Sequence, residues 1–324
     1  MRFTQSPQPL APLAGQLEYT VEHDNTTPID IRITRTTDEA LLGAKRFVAT
    51  DHAKFDIAPY LRPTIRFVPT TGRTGLYSAE DRVVTAMIEA TAEENNGEIS
   101  ATRSEACTFL PCSTTVKDPT WLTTLPASRL IPEGAAEELT LLTFAPQTIT
   151  VTTRSPRQTT THRYPIDEAG IHLFRLDTRD FPDAEMLIVD GGACGRIVYS
   201  VCQSPADGVR VAWRSSAGSI EHYTFPVESS ALFITEKQRV YGTDGHTALV
   251  RHERRRTLRS ALETRAMLEA LAEIAASPEV WLVGDEEYTP IDVAAAQHTV
   301  HRHGALSSIE IEIRPKHKTL FSWN

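Results

Sequence analysis

QLEYTVEHDNTTPIDIRITRTT, residues 16–37, reads as two strands with a turn between them. Leu17, Tyr19 and Val21 alternate with polar neighbours in the first run, and Ile29, Ile31 and Ile33 do the same in the second. Successive side chains of a strand point to opposite faces, so each run offers one face to a core and one to water. DNTT between the runs is turn composition. The pattern repeats outward in AKRFVAT (44–50), KFDIAPYL (54–61), TIRFVPT (64–70), DRVVTAMIEATAEE (81–94) and GEISATRSEACTFL (97–110). Residues 81–94 also carry the Ala and Glu content of a helix, but the alternation in VVTAMIEAT ranks a strand first. Strands at ~8–12-residue spacing, with no helices between them, predict an antiparallel sandwich of immunoglobulin-like or fibronectin-like size.

After residue 110 the alternation stops. Residues 111–138 hold several prolines and little periodicity, which predicts a connector with Trp121 and Leu122 packed on a neighbouring sheet. The strand pattern restarts with LTLLTFA (139–145), QTITVTTRS (147–155), TTTHRYPI (159–166), GIHLFRLDT (170–178), AEMLIVDG (184–191) and GRIVYSVC (195–202). VRVAWRSS (209–216) and SIEHYTFPV (219–227) complete a second set, and ITVTTRS echoes IDIRITRT as though the two units began alike. From residue 229, KQRVYGTDGHTALVRHE reads as a hairpin turning at Thr243-Asp244-Gly245, because Asp-Gly supplies positive φ cheaply. ETRAMLEALAEIAASP (263–278) has the apolar stripe Met267, Leu268, Leu271 and Ile274 and a stopping Pro278, a helix. EVWLVGDEEYTPIDV (279–293) and QHTVHRHGALSSIEIEIRP (297–315) read as hairpins, the latter with Ile309, Ile311 and Ile313 on one face.

The fold class expected is therefore mainly β. A flexible Pro-rich arm (1–14) leads into a first sandwich (15–110), the connector (111–138) and a second sandwich (139–228). A small β-rich domain (229–324) with one helix (263–276) closes the chain.

The 324 residues are 40% hydrophobic and 23% charged, an ordinary globular composition, with a net charge of −9. That charge argues against nucleic-acid binding, which needs a basic footprint. HERRR (252–256) is short enough to be a solvated edge of a strand or helix. No apolar run approaches the ~18 residues of a membrane-spanning helix. The N-terminal residues as given lack the apolar core of a signal peptide. Cys107, Cys112, Cys194 and Cys202 lack zinc-site spacing and read as small buried hydrophobes, with a Cys194–Cys202 cross-strand bridge left open.

Chemistry-bearing motifs are few. VDGGACGR (189–196) lacks the Lys-Ser/Thr of a phosphate loop and reads as a tight hairpin turn. His298, His301 and His303 are dense enough to suggest a metal. His301 and His303 would share one strand face, but a third ligand is missing from the neighbourhood and Arg302 opposes a cation. Asp177, Asp180, Asp183 and Glu185 cluster in an Asp-rich stretch of ordinary turn chemistry. No catalytic residue and no cofactor is expected, and the chain is read as a non-enzyme.

VRVAWRSSAGSIEHYTFP (209–226) remains, a strand pair turning at Gly218, with Trp213, Tyr223 and Phe225 as the candidate binding residues. Cross-strand aromatics of this kind serve either core packing or ligand stacking. The pattern of Trp213, Gly218, Ile220, Glu221, Tyr223 and Phe225 resembles a hairpin in tail-associated proteins of bacteriophages and prophages of gut bacteria. SPEVWLVGDEEYTPIDV (277–293) with SSIEIEIRP (307–315) resembles their closing segment, and KFDIAPYLRP (54–63) their leading sandwich. The resemblance implies a structural component of a tail or baseplate-like assembly, located in a virion or phage-like particle. Its partners would be other protein subunits, including copies of itself. The alternative reading is a surface-associated β-sandwich module that binds carbohydrate or another ligand through Trp213 and Tyr223.

Overall fold

The computed structural model describes all residues except 49, 95, 240–246, 286, 295–298, 317–318 and 323–324. The protein is mainly β, as the alternation predicts. Among the described residues the strands form five sheets, and one strand pair is parallel.

The first unit contains β1 (Arg2–Gln5), β2 (Glu18–Glu22), β3 (Ile29–Arg35), β4 (Leu41–Phe47) and β5 (His52–Asp56). It continues through α1 (Ala58–Leu61), β6 (Gly75–Tyr77), β7 (Val84–Glu93), β8 (Ile99–Arg103) and β9 (Cys107–Phe109). Sheet β1-β2-β5 packs on sheet β4-β3-β7-β8, with β9 also on β7. Tyr19, Val21 and Phe55 from one layer meet Ile29, Ile31, Ile33 and Ile88 from the other, the two-layer core of a sandwich. Strand β7 alternates buried and half-buried positions along most of its length, a period-two pattern that excludes the helix alternative.

Three expectations for this unit need correction. Residues 1–14 are not a free arm: Arg2 and Phe3 pair with Glu22 and Val21, and Leu13 is buried. Proline removes N–H donors but leaves carbonyls, and the Arg62 guanidinium donates to those of Leu13, Ala14 and Gly15. TIRFVPT forms no strand, although Ile65 and Phe67 are buried, because alternation records burial and not pairing. KFDIAPYL leaves the sheet at Asp56, whose carboxylate accepts the N–H groups of Leu17 and Ala58 and starts α1.

The second unit runs through β10 (Thr120–Trp121), β11 (Ser128–Pro132), β12 (Ala136–Thr143), β13 (Gln147–Arg154), β14 (Thr159–Ile166), β15 (Gly170–Asp177), β16 (Met186–Asp190) and β17 (Arg196–Cys202). Sheet β10-β12-β15-β6 faces sheet β11-β17-β16-β13-β14. The expected connector thus supplies β10, β11 and the start of β12, and β11 pairs parallel with β17. Strand β6 comes from the first segment and pairs Leu76 with Phe174, stitching the two units together. The echo between IDIRITRT and ITVTTRS has a structural counterpart. Strand β3 sits between β4 and β7, and β13 between β14 and β16, so each lies one strand in from an edge of its sheet. VDGGACGR forms the tight turn between β16 and β17, and Trp121 lies over Gly191, where a Cβ would fall 2.6 Å from its ring.

The third sheet has the order β19-β18-β22-β23-β25-β21-β20, with β24 on β25 and β26 on β21. Its strands are β18 (Val209–Arg214), β19 (Ile220–Phe225), β20 (Val227–Arg239), β21 (Thr247–Arg259), β22 (Val280–Val283), β23 (Tyr288–Val293), β24 (Thr299–His303), β25 (Leu306–Pro315) and β26 (Thr319–Ser322). Strands β18 and β19, expected in the second sandwich, pair here through Ala212 and Trp281. The sheets divide between β17 and β18, not at residue 228. Gln203–Gly208 has turn composition, and a turn that closes a hairpin looks the same in sequence as one that crosses to another sheet.

Helix α2 (Arg265–Ala272) is capped by the Thr264 hydroxyl, which accepts the Met267 N–H. It continues as a short 3₁₀ turn and buries Met267, Leu268, Leu271 and Ile274 with Ile309, Ile311 and Ile313 of β25, the stripe read from sequence. The hairpins 280–293 and 299–315 form as expected, the second turning at Gly304 with φ +67°. The Asp244-Gly245 turn lies outside the described residues.

Candidate interaction surfaces

Hairpin β18–β19 places Trp213 opposite Glu221, and Tyr223 opposite Val211. The Tyr223 and Phe225 rings meet edge to face at 5.0 Å. Trp213 and Phe225 have 0% exposure, inside the core formed with α2 and β25. A fully buried ring has no face to offer a sugar, so the stacking role for these two residues is corrected to core packing. Half-buried Tyr223 is pinned instead: its hydroxyl donates to the Glu263 carboxylate at 2.7 Å and accepts the Ala261 N–H at 3.1 Å. The turn residue Gly218 has φ +92° and lies against Pro111 and Cys112, where a Cβ would come within 3.0 Å of the proline ring. The hairpin is therefore a joint between the third sheet and the segment after the first sandwich.

Around that joint lies a buried polar network that sequence reasoning missed. Glu221 accepts the Thr123 hydroxyl at 2.8 Å, the Thr124 N–H at 2.6 Å and the Thr124 hydroxyl at 2.8 Å. Burial raises its carboxyl above the ordinary range, against the pull of those three donors. Next to it, His222 is held neutral, mainly by burial and then by the nearby arginines, Arg210 first; its Nε2 lies 3.1 Å from the Tyr288 hydroxyl.

Arg82 of the first segment is ion-paired to Glu138 of β12 and donates to Thr140, while Glu138 also accepts the Thr70 N–H. Arg210 donates to Glu137 at 2.7 Å and to the Ala136 carbonyl at 2.6 Å, and Arg175 donates to the Thr70 and Gly72 carbonyls. The Arg82 and Arg214 guanidinium groups both lie over the Phe67 ring, at 5.2 and 4.3 Å. The third sheet also places Ala212, Ile220 and Trp281 in the core of the first sandwich.

A cleft of about 820 Å³ opens at this three-way junction, lined by Arg73, Arg175, Arg179, Arg210, Asp177 and Tyr288 among others. Asp177 and Asp180, from the carboxylate cluster, both line it. Asp177 is bound to Arg179 at 2.7 Å, and Asp180 accepts the Thr74 N–H at 2.7 Å. Carboxylates engaged in this way hold loops in place. Asp183 has φ +63°, a turn conformation, and Glu185 is exposed.

His301 lies 3.5 Å from Glu310 on β25; His303 ends β24; His298 lies outside the described residues. Among the described residues no group of three or more His, Cys, Asp or Glu is placed to hold a metal. The four cysteines are free thiols raised by burial, so the Cys194–Cys202 bridge is not formed. HERRR lies on β21, where Arg254 and Arg256 pair with Glu228 of β20, and Arg255 with Glu253 and Glu312. No described helix is long and apolar enough to cross a membrane.

The molecule's other prominent surface is the β20–β21 hairpin. Both strands are 13 residues long, about 43 Å at ~3.3 Å per residue. Leu232 and Phe233 of β20 are exposed.

No protein-family model matches the chain, and no curated protein matches it. Among solved structures, one described as "Dpr2 Ig1-Ig2 in complex with DIP-Theta Ig1-Ig3" aligns over 60% of this chain and 94% of its own, at 10% identity and a TM-score of 0.17. A second, described as a Ca2+-stabilized adhesin that helps an Antarctic bacterium reach out and bind ice, aligns over 77% of this chain and 65% of its own, at 11% identity and a TM-score of 0.18. At scores of this size the fold assignment rests on the strand order itself.

Proposed function

We propose that this protein is a non-enzymatic structural component that acts through protein–protein surfaces, as part of a prophage tail or baseplate-like assembly. One observation carries the reading. The charged groups at the three-unit junction are engaged by partners within the protein, charged or polar, and the long β20–β21 hairpin carries the exposed apolar side chains of Leu232 and Phe233. Arg82, Arg175, Arg210, Glu138 and Glu221 all have partners inside the protein. A catalytic cleft keeps such groups available for substrate, whereas an assembly part uses them to fix the angle between its units. The sequence resemblance to tail-associated proteins supports the assembly named.

Light scattering across a wide concentration range tests this. A closed ring, or a mass that climbs with concentration, is the expected result. A monomer of 35.9 kDa at every concentration overturns self-assembly and turns attention to the 820 Å³ cleft as a ligand site.

A further inference from the structure

Resting on that reading, we infer that copies of this chain join head to tail: the outer face of sheet β11-β17-β16-β13-β14 in one molecule receives the β7–β8 hairpin of the next. Two stretches of opposite sign carry the inference. No Asp or Glu occurs between Glu138 and Asp167, and no Lys or Arg between Arg82 and Arg103, in a chain with 42 acidic and 33 basic residues. The first stretch holds β13 and β14, and the second holds β7 and most of β8.

On the receiving face, register puts Leu130, Met186 and Arg154 in one row across the strands, and Val198 and Ile188 in the next. Leu130 is 60% exposed, and β16 alternates buried positions with half-buried Met186 and Ile188, so the centre of this face is apolar. Arg154, Arg163 and the turn residue Arg157 border it, all exposed, and none of the three has an ion-pair partner among the described residues. Asp190, the acid on the row of Arg163, is held by Arg196 at 2.6 Å. An apolar centre with a polar rim is the anatomy of a protein–protein interface.

The β7–β8 hairpin offers the complement. Glu93 pairs across with Ile99, so both project from one face, and Ile99 is 74% exposed. Among the described residues Glu93 has no ion-pair partner, and the Glu98 carboxylate accepts only from the Asn96 amide. Two receiving faces laid together would set arginine against arginine, and two hairpins glutamate against glutamate, both unfavourable. Face against hairpin sets opposite signs at the rim and apolar on apolar at the centre. Such a contact is heterologous, so each copy keeps one surface free, and repetition closes a ring or extends a filament.

The test is light scattering on wild type, on Arg154→Glu with Arg157→Glu, on Glu93→Arg with Glu98→Arg, and on an equal mixture of the two variants. Wild type is expected to associate less as salt rises. Each variant alone carries one sign on both surfaces, and its self-association is expected to weaken at least about tenfold. The mixture restores opposite signs at every contact and is expected to associate again. If either variant associates as wild type does, or the mixture fails to recover, these two surfaces do not meet, while the assembly reading stands. If wild type is monomeric throughout, both fall. The substituted side chains are exposed, so both variants are expected to melt with wild type. Should one melt early, hydrogen exchange of wild type alone decides: protection gained with concentration in the β7–β8 and β13–β14 hairpins supports the contact, and protection elsewhere overturns it.

Discussion

The core of the first sandwich and the junction where the three units meet are equally closed to solvent and are built from opposite materials. Ile29, Ile31, Ile33, Ile88 and Val21 fill the first, with Tyr19 among them, its hydroxyl pushed up to about 12 chiefly by burial. Arg82, Glu137, Glu138, Arg175, Glu221 and His222 fill much of the second, every one of them nearly without exposure. Burying apolar area stabilises in proportion to area and in no particular direction. Buried charges behave otherwise: an intact pair contributes little net stability, while half a pair is strongly destabilising. The first material makes a unit fold; the second makes neighbouring units sit at one angle or not at all. Each charge at the junction reaches across an element boundary, as Arg82 does to Glu138 and Glu221 to Thr123 and Thr124.

The sharpest way to break this contrast is Glu138→Ala. It leaves the Arg82 guanidinium buried without its carboxylate and the Thr70 N–H without its acceptor. The expected loss is about 3–5 kcal/mol in urea denaturation. Arg82→Met combined with Glu138→Leu should recover the part due to the stranded charge, because apolar groups of similar volume need no partner, while the Thr70 N–H stays without its acceptor. A double variant as unstable as the single one would mean that the loss comes from packing or from the Thr70 N–H and not from the stranded charge.

Next in size is Ile31→Ala in the first sandwich. Removing a fully buried branched side chain is expected to lower stability by roughly 2–5 kcal/mol, and Ile31→Val by about 0.5–1.5 kcal/mol. Here no second substitution elsewhere should rescue, since the deficit is a cavity and not an unmatched group. Measured in the same denaturation series, rescue by a distant partner would erase the distinction between the two regions.

The same contrast explains what was legible in the sequence. Period-two alternation marks one buried face, so β2, β3, β7 and the Ile309–Ile313 stripe of β25 could be read directly. So could α2, whose stripe and N-cap are local. Strand β12 is buried on both faces: Glu137 shares the face of Leu139 and Leu141, and Glu138 and Thr140 lie on the opposite face, where alternation says water. Nothing local distinguishes a carboxylate that meets solvent from one that, like Glu138, meets an arginine 56 residues away. The partners of a strand are equally invisible. VRVAW and IEHYTF were recognisable as a hairpin, but their neighbour Val280–Val283 lies far along the chain. That is also why Trp213 and Phe225 could be taken for a binding surface: an aromatic hairpin shows its packed face only once α2 and β25 are laid on it. A usable signal did exist for the junction. A strand carrying Glu137-Glu138 just ahead of Leu139, Leu141 and Leu142 is too apolar further on to have an exposed face at all.

The smallest effect expected at neutral pH, and the most specific, concerns Glu221 and its neighbour His222. Burial raises the Glu221 carboxyl, so the folded protein holds that proton more tightly than the unfolded chain does. Its contribution is therefore fully present below the ordinary carboxylate value, near ~4.3, and is lost as pH rises through the raised folded value. His222 is depressed, chiefly by burial, and works the other way. Its contribution is present above the ordinary imidazole value of ~6.5 and is lost as pH falls toward the depressed one. In wild type the two trends oppose each other across the mildly acidic range. Glu221→Gln keeps an acceptor for the Thr124 N–H and removes the titration, leaving the histidine trend unopposed. Thermal melts from pH 4 to pH 8 should then show the variant gaining on wild type as pH rises. The gain is modest because three hydrogen bonds already offset much of the burial penalty on the charged form. His222→Gln should do the reverse, flattening the fall in stability on the acid side. Parallel curves for Glu221→Gln and wild type at every pH would mean that the carboxylate is as comfortable in the junction as in water, and the difference between the two regions would then rest on the arginines and their carboxylates, Arg82 with Glu138 and Arg210 with Glu137.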